Sequence, residues 1–403
     1  MARRESPAAG PGSRALIVDV VRSAVTISRV ELAEVTGLTQ PSISNIVRDL
    51  INDGIIHEVG SVDSVRGKPR TLVALKPNDR FGIGFHLGAD SLTCVAIDLT
   101  GGVIGREAIP FPSARGVSPE RLAEQFEDFV VGLDLPRDRI EGLAVVASTT
   151  YLDRESSSGR LATLHTGLPE RIRLPVIIEN DAAAAALGEF WSRRISREEV
   201  FGCVYLSTEI GAGLVIGGAL FRGAAFAAGE LGHVSIDHQG RLCPCGNRGC
   251  VERYASMTAT VEAAREEPGL LARLGVASPA VTLSGAYDTV ARAAVTGDPA
   301  AFAVIDRSAG HLGVSVTSMV NLLDLGRLVL TGPGVALAGS IYARRLRTHL
   351  ARTAHARGHH DIAVELSAQP RDAAGIGAAA LVVQASIAPG HTSGTFRHGT
   401  RAG

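Results

Sequence analysis

The chain has 403 residues, enough for two or three packed units, and 45% of them are apolar but only 4% aromatic, so Ala, Val, Leu and Ile must fill its cores. A formal net charge of -1 excludes bulk basicity as a means of holding nucleic acid, and any such contact must come from local features. Five cysteines, an odd count, with no apolar leader and no run long enough to span a bilayer, exclude a disulfide framework and a membrane span; a soluble, cytoplasmic protein is expected.

Residues 1–13 are rich in Pro, Gly and Ala and are expected to form a disordered tail. Residues 14–76 carry short helical patterns followed by a hairpin, the pattern of a winged helix-turn-helix domain. Ser28 and Glu31 have capping-box spacing, and Gly37 is placed to end the helix they start. Thr39 then caps a second helix that tolerates Pro41 in its first turn. Ile43, Ile46, Val47, Leu50 and Ile51 form one apolar stripe on it. Its other face offers Gln40, Ser42, Ser44, Asn45 and Arg48, short hydrogen-bonding groups suited to base edges and phosphates. After Gly54, the runs IIHEV and TLVAL read as strands around a turn that carries Arg66, Lys68 and Arg70 with Gly67 and Pro69. Three cations in five residues, with no acid among them, suit a wing that reaches a minor groove.

From Phe81 the pattern changes to strands: FGIGFHLG, SLTCVAIDL and VIGREAIPF, then a helix over about 119–133 and the strand GLAVVAS. A second glycine-rich strand pair begins near Val200, helices dominate after Tyr254, and LGRLVLTGPG reads as a strand entering a loop. Two such halves imply a duplicated α/β domain over residues 81–385 with a ligand cleft between its lobes. Residues 389–403 are expected to be a second disordered tail.

Cys94 and Cys203 lie in apolar strand-like runs and read as buried thiols. Cys243, Cys245 and Cys250 crowd into eight residues, with Gly246 and Gly249 letting the backbone wrap around an ion. Three thiolates and one histidine would close a tetrahedral structural zinc site, and spacing alone leaves His233 and His238 as candidates for the fourth ligand.

With GELGH at 229–233, CPCGNRGCVE at 243–252 and ENDAAAAALGE at 179–189 behind a winged helix, the chain resembles the repressor branch of the ROK family, the repressors, open reading frames and sugar kinases. The resemblance covers residues 14 to 385 and implies an actin-like, ribonuclease-H-like fold of two α/β lobes. It implies zinc on His233, Cys243, Cys245 and Cys250, within a motif spanning 233–250, and leaves His238 outside. It implies sugar contacts from Asn180, Asp181, Glu230, His233 and Glu252. The family's kinases use the position of Asp181 as base, but their D-x-G-G-T hairpin reads His86-Leu87-Gly88-Ala89-Asp90-Ser91 here. Their G-T-G-x-G loop reads Ser207-Thr208-Glu209-Ile210-Gly211. Acids at Asp90 and Glu209 oppose bound phosphates, so lost kinase activity with a vestigial base is expected. The loop after GLAVV, usually Pro-Gly-Pro in the family, is Ala147-Ser148-Thr149-Thr150. The expected function is sugar-responsive transcription regulation, in the main repression of carbohydrate genes, by a homodimer or homotetramer on an operator DNA. An active sugar kinase with a DNA-binding appendage, or a regulator governed by a protein partner, are the alternatives.

Overall fold

The structure is a computed structural model that describes residues 11–62, 69–110, 117–148, 164–358 and 361–387. Its elements in chain order are α1 (Pro11–Ala24), β1 (Ile27–Ser28), α2 (Arg29–Thr36), α3 (Gln40–Asn52), β2 (Ile56–Val62) and β3 (Arg70–Leu75). The first lobe follows with β4 (Phe81–Leu87), β5 (Ser91–Asp98), β6 (Val103–Pro110), α4 (Pro119–Gly132), β7 (Ile140–Ala147), β8 (Val176–Asn180) and α5 (Asp181–Ser192). The second carries β9 (Phe201–Leu206), β10 (Ile210–Ile216), β11 (Ala219–Leu220), α6 (Met257–Glu266), α7 (Leu283–Val295) and α8 (Pro299–Leu323). It ends with β12 (Arg327–Thr331), α9 (Gly339–Thr353), β13 (Ala363–Leu366) and α10 (Ala373–Ile387).

In the N-terminal unit, the Ser28 side chain accepts from the Glu31 amide and the Glu31 carboxylate accepts from the Ser28 amide, while Gly37 at φ 70° ends α2. Thr39 caps α3 with Pro41 in its first turn. Ile43, Val47 and Leu50 are buried, with Ile46 and Ile51 packed beside them. Two features were not read in advance. The short β1 pairs with β3, so the wing is a three-stranded sheet of order β1-β3-β2. Pro11 to Ser13 are also the first residues of α1, which corrects the tail expected over 1–13. The rest of that tail and residues 389–403 lie outside the described residues.

The two lobes repeat one topology. The sheets run β6-β5-β4-β7-β8 and β11-β10-β9-β12-β13, each with three antiparallel strands followed by two parallel ones. The helices closing the repeats are exchanged: α5, which leaves the first sheet, packs on β9 and β10, and α10, at the end of the second repeat, packs on β4, β5 and β7. These two helices also pack against each other, between the two sheets. Small residues make that crossing possible. A Cβ on Gly377 would fall 1.7 Å from the Ala184 carbonyl oxygen, and one on Gly188 would fall 2.8 Å from that of Ala373. Among the described residues no helix is long and apolar enough to cross a membrane.

Candidate functional site

The loop between β11 and α6 folds back on itself through short antiparallel bridges, Ser235 with Cys250 and Leu242 with Arg248. Gly249, at φ 71°, lies where a Cβ would meet the Asp237 carbonyl oxygen at 1.7 Å, so only glycine lets the chain return there. The fold-back brings one atom each from His233, Cys243, Cys245 and Cys250 within 4.8 Å of one another. His233 Nδ1 stands 3.6 Å from Cys243 Sγ, and Cys245 Sγ stands 3.7 Å from Cys250 Sγ. Zn–S bonds of about 2.3 Å in a tetrahedron imply S···S edges of about 3.8 Å, so the four side chains fit a zinc ion. The Asn247 amide holds the Cys245 thiol below its usual range, whereas burial and the neighbouring thiols push Cys250 up to about 12. His238 is exposed and lies outside this cluster.

Beside the cluster is a recess lined by Asn180, Asp181, Glu230 and Glu252 together with Ser148, Tyr205, Ser207 and Glu209. Each carboxylate arrives by a different local device. Asn180 is the N-cap of α5 and accepts from the Ala183 amide at 3.0 Å, which sets Asp181 in the first turn, buried. Behind them the buried Glu179 is clamped by Arg222 at 2.7 Å. Glu230 follows Gly229, whose φ of 96° and close approach to Ala212 carry the GELGH segment over β10. Glu252 follows the last cysteine and accepts from the Ile210 amide at 3.3 Å. His233 presents Nδ1 to the thiols and Nε2 to Glu230, 3.9 Å away, but unlike Glu230 it is not part of the recess lining and stands behind it.

A larger cavity adjoins this recess, and Ser148, Asp181, Tyr205 and Ser207 line both. His86, buried at the end of β4, places Nε2 3.7 Å from Asp181 Oδ2 and 3.5 Å from the Tyr205 hydroxyl. Asp90 lines the larger cavity. Glu209 was expected to stand with Asp90 against phosphates, but it lines the smaller recess instead, with Ser148 Oγ donating to its carboxylate at 3.4 Å. Of the loop Ala147-Ser148-Thr149-Thr150, the last two residues lie outside the described residues. His86, Tyr205 and Ser148 were not singled out as site residues. The histidine at the head of an otherwise kinase-like hairpin was the available signal for the first. Ser148 lies in the loop whose departure from the family's Pro-Gly-Pro run was its signal, and nothing local marks Tyr205, which reaches the site from β9.

On the N-terminal unit, α3 exposes Gln40, Asn45 and Arg48, with Arg48 donating to Asn45 at 3.3 Å. Ser44 is half-buried, as is Ser42, whose hydroxyl lies 2.9 Å from that of Thr39 within the cap. Arg70 is exposed at the start of β3, and Arg66 and Lys68 lie outside the described residues. The unit is joined to the rest of the chain by a buried contact. The Arg22 guanidinium, 3% exposed, bonds Asp19, the Ile195 carbonyl at 2.8 Å and the Phe190 carbonyl at 3.3 Å, and stacks 4.5 Å from the Phe190 ring centre. On the first-lobe side, Arg80 binds Glu141 at 2.6 Å and donates to the Asp53 carbonyl at 3.0 Å.

Comparison with known proteins matches residues 82–385 to the ROK family and residues 17–57 to winged helix-turn-helix DNA-binding domains. The xylose repressor of Caldicellulosiruptor bescii is 26% identical over 393 residues, covering 92% of this chain and 95% of that protein. A crystal structure of a ROK family transcriptional regulator, a homolog of the E. coli MLC protein, has a TM-score of 0.70 at 24% identity, over 93% of this chain and 97% of that one. The ROK family glucokinase of Streptomyces griseus, solved with glucose and AMPPNP, has a TM-score of 0.61 at 26% identity, covering 75% of this chain and 98% of that one.

Proposed function

The chain belongs to the ROK family, and we propose that it is a sugar-responsive, DNA-binding transcription regulator, a repressor of carbohydrate genes that acts as a homodimer or homotetramer. The N-terminal unit, residues 14–76 extended to Pro11, reads the operator with α3 and the wing. The two-lobed domain, residues 81–385, senses the sugar. Asn180, Asp181, Glu230, His233 and Glu252 hold its hydroxyls, because carboxylates and an amide in a sheltered recess make directional hydrogen bonds. Zinc on His233, Cys243, Cys245 and Cys250 would be structural, bracing His233 behind Glu230 of the recess wall, with no coordination position left for a reacting water.

The observation that carries this reading is the course of α5. Its first turn holds Asp181 in the recess, and its last residues, with Ile195 just beyond, receive Arg22 of the DNA-binding unit. A helix of 12 residues is a rigid rod of about 18 Å. The same unit is tied to the first lobe through Arg80. A sugar that draws the lobes together therefore works on the DNA-binding unit from two sides. The response is set by the sugar's difference in affinity for the two lobe arrangements.

Phosphoryl transfer is the second reading, favoured by the burial of Asp181 beside the larger cavity and by the likeness to a glucokinase. Against it stand His86 in place of the kinase hairpin's first acid and Asp90 on the cavity wall. A coupled ATPase assay over hexoses, pentoses and amino sugars separates the two. Turnover no greater than that of Asp181→Ala supports the regulator, and turnover well above it supports the kinase. Operator binding measured with and without each sugar completes the test.

A further inference from the structure

Between Asp324 and Asp361 the chain carries no acid, yet the stretch from Arg344 to His360 holds five arginines and four histidines, in a protein whose charges otherwise balance. Arg344, Arg345, Arg347, His349 and Arg352 lie on α9. Two of these cations are engaged elsewhere. Arg344 stacks 5.5 Å from the Phe302 ring centre, and Arg347 donates to the Val364 carbonyl at 3.1 Å. Arg345, His349 and Arg352 follow one another at about one-turn spacing along one face of the helix and line a cavity of about 270 Å³ with Thr348 and Thr353. None of the five lines the carboxylate recess or the larger cavity beside it. Facing them, α8 has glycines. A Cβ on Gly310 would fall 3.3 Å from Arg345 Nη2 and one on Gly313 would fall 3.1 Å from the His349 ring, so both side chains can lie close against α8.

This grouping of like charges is unfavourable by itself. Burial, and then the nearby Arg345 and Arg352, hold the His349 imidazole below its ordinary range. Asp306 offsets part of the charge, 3.9 Å from Arg345. Among the described residues neither Arg352 nor the His349 ring has a hydrogen-bond or ion-pair partner. The negative end of α9 favours Arg352 in the last turn, but that effect does not reach Arg345 two turns earlier. The hydroxyls of Thr348 and Thr353 donate to the carbonyls of Arg344 and His349, which leaves the two guanidinium groups and the imidazole as the donors facing the cavity.

We propose that this pocket on α9 binds a small tetrahedral oxyanion, a phosphate or a phosphate monoester, between Arg345 and Arg352 with His349 at its centre. The planar forks of two arginines match the oxygens of such a group, and its charge neutralises the excess on the helix. A nucleic-acid backbone would need further cations in line, and Arg344 and Arg347 are turned to Phe302 and Val364 instead.

The test is calorimetric titration of the full-length, zinc-loaded chain with inorganic phosphate, glycerol 3-phosphate and acetate. A phosphate should bind, with affinity that falls as salt is added, and acetate should bind at least about tenfold more weakly, having one pair of oxygens to offer. Tighter binding of glycerol 3-phosphate assigns the site to a phosphorylated metabolite, and tighter binding of inorganic phosphate assigns it to the free anion. Arg345→Gln with Arg352→Gln should weaken phosphate binding about tenfold or more. Arg344→Gln, which removes the same charge from the same helix outside the pocket, should stay within about twofold of wild type. His349→Gln should weaken binding several-fold and keeps the test open if the double variant does not fold. No binding of either phosphate, acetate binding as tightly, or equal affinities in wild type and the double variant would overturn the site. So would a double variant that loses affinity for non-operator duplex DNA but not for phosphate, which would give this face to nucleic acid.

Discussion

Arg22→Ala should disconnect the DNA-binding unit from the sugar recess while leaving both able to bind their ligands. The wild-type guanidinium is nearly inaccessible, and its partner Asp19 has a side chain only 10% exposed. Removing it strands a buried carboxylate and takes the donor from two backbone carbonyls, those of Phe190 and Ile195. Breaking a buried ion pair from one side costs about 3–5 kcal/mol. Coupling between two sites is typically only about 1–3 kcal/mol, so the joint would fail before it could transmit. The core of the N-terminal unit, Leu32, Ile43, Val47 and Leu50, does not involve Arg22 directly and should stay folded. The assay is fluorescence anisotropy on a DNA site selected in vitro with the wild-type chain, with and without the sugar found by calorimetry. The variant should bind sugar within about twofold of wild type, as expected for a site removed from the change, and its DNA affinity should no longer respond to that sugar. In thermal scans the N-terminal unit should melt separately and earlier. A variant that keeps the full sugar response would refute the proposed route along α5.

Arg66→Ala with Arg70→Ala should weaken DNA binding across all sequences and reduce the slope of log affinity against log salt by about two if each side chain neutralises one phosphate; an unchanged slope removes the wing from the interface. Metal analysis of protein purified without added zinc should find one zinc per chain. A strong chelator, or Cys243→Ser, should lower both the melting temperature and sugar affinity, because the metal braces His233; sugar binding indifferent to zinc would separate the two sites. Gly377→Ala should destabilise the crossing of α5 and α10 by about 1–3 kcal/mol or more, since its Cβ would overlap the Ala184 carbonyl. Gly132→Ala, where a Cβ meets nothing within 4 Å, is the control in denaturant titrations.

Local chemistry was legible in the amino-acid sequence because its causes are local. Ser28, Glu31, Gly37 and Thr39 announce the two helices of the DNA reader, since capping depends on residues a few positions apart. The crowding of Cys243, Cys245 and Cys250 announces a cluster able to hold a metal for the same reason, and apolar, glycine-rich runs marked strands in both halves. Spacing could not choose between His233 and His238; the fold-back of the loop between β11 and α6 puts His233 among the thiols and leaves His238 outside. Likewise Glu209 and Asp90 looked equivalent as acids in phosphate loops, yet they line different pockets, because a side chain's direction depends on how its strand sits against the other lobe. The exchange of α5 and α10 between the sheets, the pairing of β1 with β3, and the meeting of Arg22 with Phe190 and Ile195 were decided by tertiary packing alone. Such contacts join segments tens to hundreds of residues apart. Each segment's own pattern records only that one of its faces must be buried, and nothing in it names the partner.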